Sequence, residues 1–277
     1  MNPRPPPIAG LDDSAPRTLV LDQRIRYRYS APVTNLRQRL KVVPPSAHGP
    51  HERRRWRLTV ERVQPSSTRA FLDRFGNVTV DVTVPRVDDE VEFVLDVEAR
   101  TDRPASCDTI IDQQYLRHTR LTEPDDTIAE LACGDGRSNP EVICARVHRS
   151  LVYEWGVTGV RTTASEAAAG GRGVCQDYAH VMLAACRVAG MPARYVSGHL
   201  IGEGGSHAWV EILHPHPHCP GTWIAEGWDP THNQRTNSDY LVVAVGRDYA
   251  DVVPLSGTYD GEGAANTLAV NKRLELM

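Results

Sequence analysis

The chain has 277 residues, a formal net charge of −4 and a pI of about 6.3. With 40% hydrophobic and 24% charged residues it reads as a globular chain, long enough for one large domain or two ordinary ones. Mild acidity gives no footprint for nucleic acid or an anionic membrane as partner, and no run of eighteen apolar residues offers a membrane span.

The opening stretch MNPRPPPIAGLDDSAPRT lacks the apolar centre of a signal peptide, and a disordered leader is expected over 1–16. A β domain is expected over 17–104. VTVDVTV places Val78, Val80, Val82 and Val84 on one face, and VEFVLDVEA does the same with Val91, Phe93, Leu95, Val97 and Ala99. RIRYRY and RWRLTV alternate likewise, and Gly76-Asn77 marks a turn. Short alternating strands at this spacing predict a β-sandwich. No chemical motif lies there, so a structural or substrate-framing role is expected.

The texture changes after Pro104, and 105–277 is taken as a second unit. NPEVICARVHRSLVYEWG predicts a helix with Asn139 as N-cap, Pro140 at the first position and Gly156 past the end. Its apolar face would be Ile143, Val147, Leu151 and Trp155. TASE, from Thr163 to Glu166, fits a capping box before a short alanine-rich helix. A third helix is expected from about Cys175 to Ala189, stopped by Gly190 and Pro192. Strands follow in ARYVSGHLI, SHAWVEIL, TWIAEGWD and YLVVAVG. Helices first and a mostly antiparallel sheet second make an α+β fold.

GRGVCQDYAH puts Cys175 near a helix N-terminus, where unpaired N–H groups and the helix dipole favour a thiolate. The flanking glycines would let the backbone approach a substrate. A buried small hydrophobe fits Cys175 equally well on this segment alone. Asp177 reads as a first-turn helix carboxylate and Cys186 as core. The other cysteines, Cys107, Cys133, Cys144 and Cys219, are dispersed with no CxxC pair, so reduced thiols in a cytoplasm are expected.

A cysteine nucleophile needs a histidine to take its proton and a third group to orient that histidine. His207 opens the apolar strand HAWVEIL, and Asp229 ends GWD. A hairpin around Pro220-Gly221 without a bulge would set Leu213 against Trp223, Glu211 against Ala225, Trp209 against Gly227 and His207 against Asp229. A satisfied strand histidine and a turn aspartate before Pro230 remain the plain alternatives.

GVCQDYAHVMLAACRVAGMPARYVSGHL, then SHAWVEI, then WDPTHN resembles the transglutaminase-like superfamily of papain-type cysteine enzymes. The similarity extends to its bacterial branch, with an N-terminal β-domain, through LDRFGN and GRDYADVVP. The resemblance implies a papain-like core, Cys175 as nucleophile, His207 as general base and acid, and Asp229 as the orienting carboxylate. Animal transglutaminases carry a tryptophan after the cysteine. Gln176 stands there instead, which argues against protein crosslinking. Nothing resembles a calcium loop.

The expected function is amide or peptide cleavage or transfer through an acyl-thioester, with hydrolysis favoured and a peptide or protein substrate. The alternatives are transglutaminase-type acyl transfer and a non-catalytic binding module. No cofactor is expected. HPHPHC, from His214 to Cys219, is dense in metal ligands, but Pro215 and Pro217 hold it extended. It reads as a polar hairpin loop, and no metal site is expected.

Overall fold

A computed structural model describes residues 17–101, 113–133, 139–216, 220 and 222–277. The expected leader, Cys107 and the His218–Cys219 end of the histidine-rich loop lie outside them. The first strands are β1 (Thr18–Tyr29), β2 (Val33–Val43), β3 (Ala47–His48), β4 (His51–Glu61), β5 (Ser67–Leu72), β6 (Val78–Val87) and β7 (Glu90–Arg100). Helices and short strands follow: α1 (Asp126–Ala132), α2 (Pro140–Ser150), β8 (Val152–Tyr153), α3 (Ala164–Gly170), β9 (Arg172–Gly173) and α4 (Cys175–Val188). The chain ends in strands β10 (Ala193–Leu200), β11 (His207–Pro215), β12 (Trp223–Asp229), β13 (Gln234–Arg235), β14 (Tyr240–Gly246), β15 (Leu255–Asp260) and β16 (Asn266–Leu276).

Alternation in the first strands acts as read. Val80, Val82, Val84, Phe93 and Leu95 are buried in one apolar cluster with Leu21, Ile25, Leu36 and Leu40. The turn before β6 is built by Asp73, whose carboxylate accepts from the Phe75 and Asn77 N–H groups while Gly76 takes φ +81°. Two antiparallel sheets share this cluster, in the orders β16-β1-β7-β4-β3 and β15-β2-β6-β5.

Those orders join strands from both sides of the 104/105 boundary. The C-terminal strands return to the first half of the chain, β15 pairing with β2 and β16 with β1 along its whole length. The outer sides of β1 and β2 are thereby paired, and β15 and β16 become the edge strands there. The residues 17–100 and 255–276 thus share two sheets.

In the second half, α4 is buried along nearly its whole length and packs on the antiparallel sheet β13-β12-β11-β10-β14. Tyr178, Met182, Ala185 and Cys186 meet Val210, Ile212 and Ala244 in its core. Around α4 lie α2, whose Asn139 cap accepts from Glu141 N–H, and α3, where Thr163 and Glu166 form the expected capping box. The helix expected to run to Trp155 stops at Ser150. Val152 and Glu154 give their N–H groups to Gly171 and Gly173 carbonyls, forming the parallel pair β8–β9. Trp155 is left 81% exposed. Strand pairing there overrides the four-residue apolar period.

The two halves meet through polar contacts. Arg17 donates to Ser238 Oγ and Asp239 Oδ1, both at 2.7 Å. Asn77 donates to the Val245 carbonyl and accepts its N–H, both at 2.8 Å. His48 of β3 reaches Glu211 of β11 at 2.7 Å, and Arg194 holds the other oxygen at 2.7 Å. No helix among the described residues is long and apolar enough to cross a membrane.

Candidate active site

Cys175 is the first residue of α4 and is half-buried. The helix starts there because Val174 is extended and Asp177 folds back to accept the Val174 N–H at 2.7 Å. Thr158 Oγ1 donates to the same carboxylate oxygen at 2.6 Å. Asp177 is thus the helix-start carboxylate read from sequence, and burial pushes its carboxyl up. A side chain at Gly173 would come within 2.6 Å of Asp177 Oδ2. That glycine makes room for the cap, a role different from the substrate approach expected of it. Cys144 and Cys186 lie in the core, where burial pushes both thiols up, Cys144 to about 12.

His207 opens β11 with its ring buried. Nε2 donates to Asp229 Oδ2 at 2.7 Å, and the imidazole also hydrogen-bonds Cys175. Burial alone would disfavour its charged form. The Asp229 charge and the bonds from Asp229, Cys175 and Glu203 outweigh burial and hold His207 well above the ordinary value. The Trp209 indole stacks on the ring, with centroids 6.1 Å apart and planes 27° from parallel. Other buried histidines are unlike it: burial pushes His180 and His199 down to about 3, so both are neutral core groups.

The hairpin register differs from expectation by two residues. Glu211 pairs with Gly227, Leu213 with Ala225 and Pro215 with Trp223. A slip of two preserves which face each side chain points to, because the strand period is two. His207 and Asp229 are therefore diagonal on the same face, a separation that an imidazole and a carboxylate bridge. The slip does move Trp209 away from Gly227. A side chain at Gly227 would strike Thr236 Oγ1 at 2.0 Å. Trp209 instead fills the space beside Gly198, which stands directly opposite His207 across β10–β11. A Cβ there would lie 2.3 Å from the Leu241 carbonyl and 2.4 Å from the indole. The β10–β14 register shifts between Ser197 and Gly198, a local irregularity beside the site.

Asp229 is fully buried and is the hub of a larger network. Oδ2 accepts from His207, from His232 Nδ1 at 2.7 Å and from Tyr240 OH at 2.8 Å. Oδ1 accepts the Thr231 and His232 N–H groups at 2.8 and 3.2 Å. Burial would raise this carboxyl, but the His207 charge and the bonds from both histidines hold it well below the usual range. The turn that folds His232 back passes through Asn233 at φ +55°, a conformation asparagine tolerates. Glu203, in the loop before β11, touches both histidines: Oε2 is 3.2 Å from His207 Nδ1 and Oε1 is 3.4 Å from His232 Nε2.

His232, Tyr240 and Glu203 were not singled out from sequence. His232 lies inside the WDPTHN motif and could have been found there; Glu203 sits in a glycine-rich loop that carries no pattern. Glu211, four residues along β11 from His207, is occupied by Arg194 and His48.

An open cavity of about 460 Å³ lies ahead of α4, lined by Val157, Thr158, Arg161, Thr162 and Arg172 among others. One wall residue, Thr158, bonds Asp177 in the first turn of α4, but Cys175 itself does not line the cavity. At the histidine-rich loop, His214 pairs with Glu226 at 2.9 Å, and the Cys219 end lies outside the described residues.

Residues 133–227 match the transglutaminase-like superfamily, and residues 19–100 match the bacterial transglutaminase-like N-terminal region. The uncharacterized Mycobacterium leprae protein ML0607 is 32% identical over 237 residues, 75% of this chain and 81% of that protein. The chain belongs to the transglutaminase-like superfamily. A further relative, the uncharacterized Mycobacterium tuberculosis protein Rv2569c, is 37% identical over 126 residues, 42% of this chain and 40% of that protein. A solved structure of a candidate cysteine protease from Cytophaga hutchinsonii superposes with a TM-score of 0.74 at 20% identity, covering 95% of this chain and 92% of that one. That likeness shows a shared fold. Membership of the superfamily supports a cysteine-dependent enzyme in the broad sense.

Proposed function

We propose that the chain cleaves amide or peptide bonds through an acyl-thioester on Cys175, with His207 as general base and acid and Asp229 as the orienting carboxylate. The observation that carries this reading is the His207 ring, buried between Asp229 at 2.7 Å and the Cys175 thiol. With Nε2 given to Asp229, Nδ1 is the nitrogen left to serve sulfur. The thiolate attacks the carbonyl carbon and forms a tetrahedral oxyanion. The Cys175 N–H, at the positive end of α4, is a donor for that oxygen. His207 then protonates the leaving amine, and the acyl-enzyme remains. Water, deprotonated by His207, releases the acid.

Hydrolysis is favoured over acyl transfer because Cys175 is only half-buried, which leaves an acyl group on it within reach of water. We read the two sheets of 17–100 and 255–276 as the expected β-sandwich, which frames the site from behind by holding Glu211 through His48. The free thiols Cys133, Cys144, Cys175 and Cys186 support a cytoplasmic setting.

The test is an amide and peptide library screened with mass detection of acyl-Cys175, with and without a primary amine. Acid products and a transient Cys175 adduct are expected, both lost in Cys175→Ala. Predominant amine-transfer products would favour acyl transfer, and no adduct with any substrate would favour a binding module.

A further inference from the structure

Glu203, His207, Asp229 and His232 form a ring, and the proposed chemistry leaves two of its members, Glu203 and His232, unused. Each imidazole gives one nitrogen to Asp229 Oδ2, His207 through Nε2 and His232 through Nδ1, both at 2.7 Å. An ionised carboxylate only accepts, so both N–H groups lie on that side. The two remaining nitrogens, His207 Nδ1 and His232 Nε2, face the Glu203 carboxylate, and an ion that displaced the protons between them would meet their lone pairs. Three Lewis bases thus converge, their ligand atoms all within 4.8 Å of one another.

This arrangement has the parts of a metal site. Histidine ligands to zinc hand their second nitrogen to a carboxylate that fixes tautomer and ring angle, and Asp229 does so for two at once. Tyr240, at 2.8 Å, steadies the same oxygen. Zinc takes imidazole and carboxylate at ~2.0–2.2 Å, so the edge of a tetrahedral site is ~3.4 Å. Glu203 reaches His207 at 3.2 Å through Oε2 and His232 at 3.4 Å through Oε1, close to that edge, while the three ligand atoms lie within 4.8 Å of one another and would draw together around an ion. His207 is buried, His232 is partly so, and the Glu203 side chain is 17% exposed, leaving an approach from the loop side. Glycines at 202, 204 and 205 flank Glu203, so its loop can adjust to an ion. Cys175 bonds the same His207 ring and is the neighbour from which a fourth, thiolate ligand would come.

We propose that Glu203, His207 and His232 form a binding site for a divalent zinc-type ion, which reversibly silences Cys175 by occupying the His207 nitrogen that must receive its proton. The inference rests on the catalytic reading for its consequence, and on geometry alone for the binding. No atom is transferred. The ion and the proton compete for one lone pair.

The test uses the full chain stripped with chelator and dialysed, titrated with ZnCl₂ by calorimetry and with CoCl₂ by absorption. One equivalent should bind. His232→Ala and the milder Glu203→Gln should each weaken zinc by at least ~10–100-fold, while His214→Ala should leave it unchanged. Iodoacetamide alkylation of Cys175, followed by peptide mass, should slow when zinc is added to wild type and recover with chelator. It should respond far less in Glu203→Gln. Failure to bind, binding undiminished in both variants, binding lost in His214→Ala, or unchanged alkylation at saturating zinc would each overturn the proposal. Calorimetry needs no substrate, so absent amide turnover in metal-free chain would count against the hydrolase reading and leave this site standing.

Discussion

Replacing Asp229 with asparagine removes one negative charge at constant volume, and the network fixes what must follow. The carboxylate accepts five hydrogen bonds, three on Oδ2 from His207, His232 and Tyr240 and two on Oδ1 from the Thr231 and His232 N–H groups. An amide has only one acceptor oxygen. If that oxygen stays on the imidazole side, the new NH₂ group faces two backbone donors; if it flips, three donors are orphaned. The first orientation loses less and should be adopted. Each unsatisfied buried donor costs ~1–3 kcal/mol, so the two together should lower stability by ~2–6 kcal/mol, mostly from the turn after β12. His207 loses the charge that, together with its hydrogen bonds, outweighs its burial, so its folded pKa should drop below the wild-type value. In the Ser-His-Asp triad the same exchange lowers turnover about 10⁴-fold through the wrong tautomer. A smaller loss, ~10²–10³-fold, is expected here because Oδ2 is replaced by an amide oxygen that still accepts from Nε2. The assay is turnover on a substrate found by the acyl-adduct screen, with the His207 titration followed by NMR and folding by circular dichroism. A folded variant with turnover within twofold of wild type, or an unmoved His207 titration, would refute the role assigned to Asp229.

Two further outcomes follow from packing and charge. Gly198→Ala drives a methyl group into the Leu241 carbonyl and the Trp209 indole. Overpacking of this kind costs ~1–3 kcal/mol, and the displaced indole should misplace His207 enough to lower turnover by ~10²-fold. An unchanged melting temperature and rate would show that the indole does not position the ring. Glu211→Gln breaks a buried pair and should cost ~3–5 kcal/mol at pH 7. Burial alone would raise Glu211, but His48 and Arg194 outweigh it and lower its carboxyl to about 2. The folded value lies below the unfolded one, so the stabilisation is present above pH ~4.3 and is lost as pH falls toward ~2. Denaturant midpoints of the two proteins should therefore converge from pH 5 downward; a constant gap would contradict the ion-pair explanation.

Much of the fold was legible because local signals agreed with it. Strict alternation marked β6 and β7, the Thr163–Glu166 box marked α3, and Cys175 to Gly190 was bounded at both ends by recognisable stops. Misreadings occurred where non-local pairing decided the outcome. The apolar period through Trp155 pointed to a longer α2, but hydrogen bonds to Gly171 and Gly173 lie 19 residues downstream of their donors. Strands β15 and β16 were missed because they are edge strands with mostly exposed side chains, Leu268 at 48% and Val270 at 45%, so burial wrote little pattern into them.

At the site, the hairpin register was off by two residues and His207 still reached Asp229, because strand faces repeat every second residue. The same error sent Trp209 to the wrong glycine, since direct opposition depends on register and facing does not. His232, Glu203 and Tyr240 come from a turn, a loop and a strand start, and only their shared approach to Asp229 and His207 gives them meaning.

The central claim is that His207 activates Cys175, and alkylation kinetics test it most directly. Metal-free chain is treated with limiting iodoacetamide at pH 7, and each cysteine is quantified by peptide mass. Cys175 should react at least roughly tenfold faster than the exposed Cys133, though it is half-buried. His207→Ala should bring its rate down to or below that of Cys133 while circular dichroism stays unchanged. Equal rates for Cys175 and Cys133 in wild type, or a Cys175 rate indifferent to His207→Ala, would contradict the account.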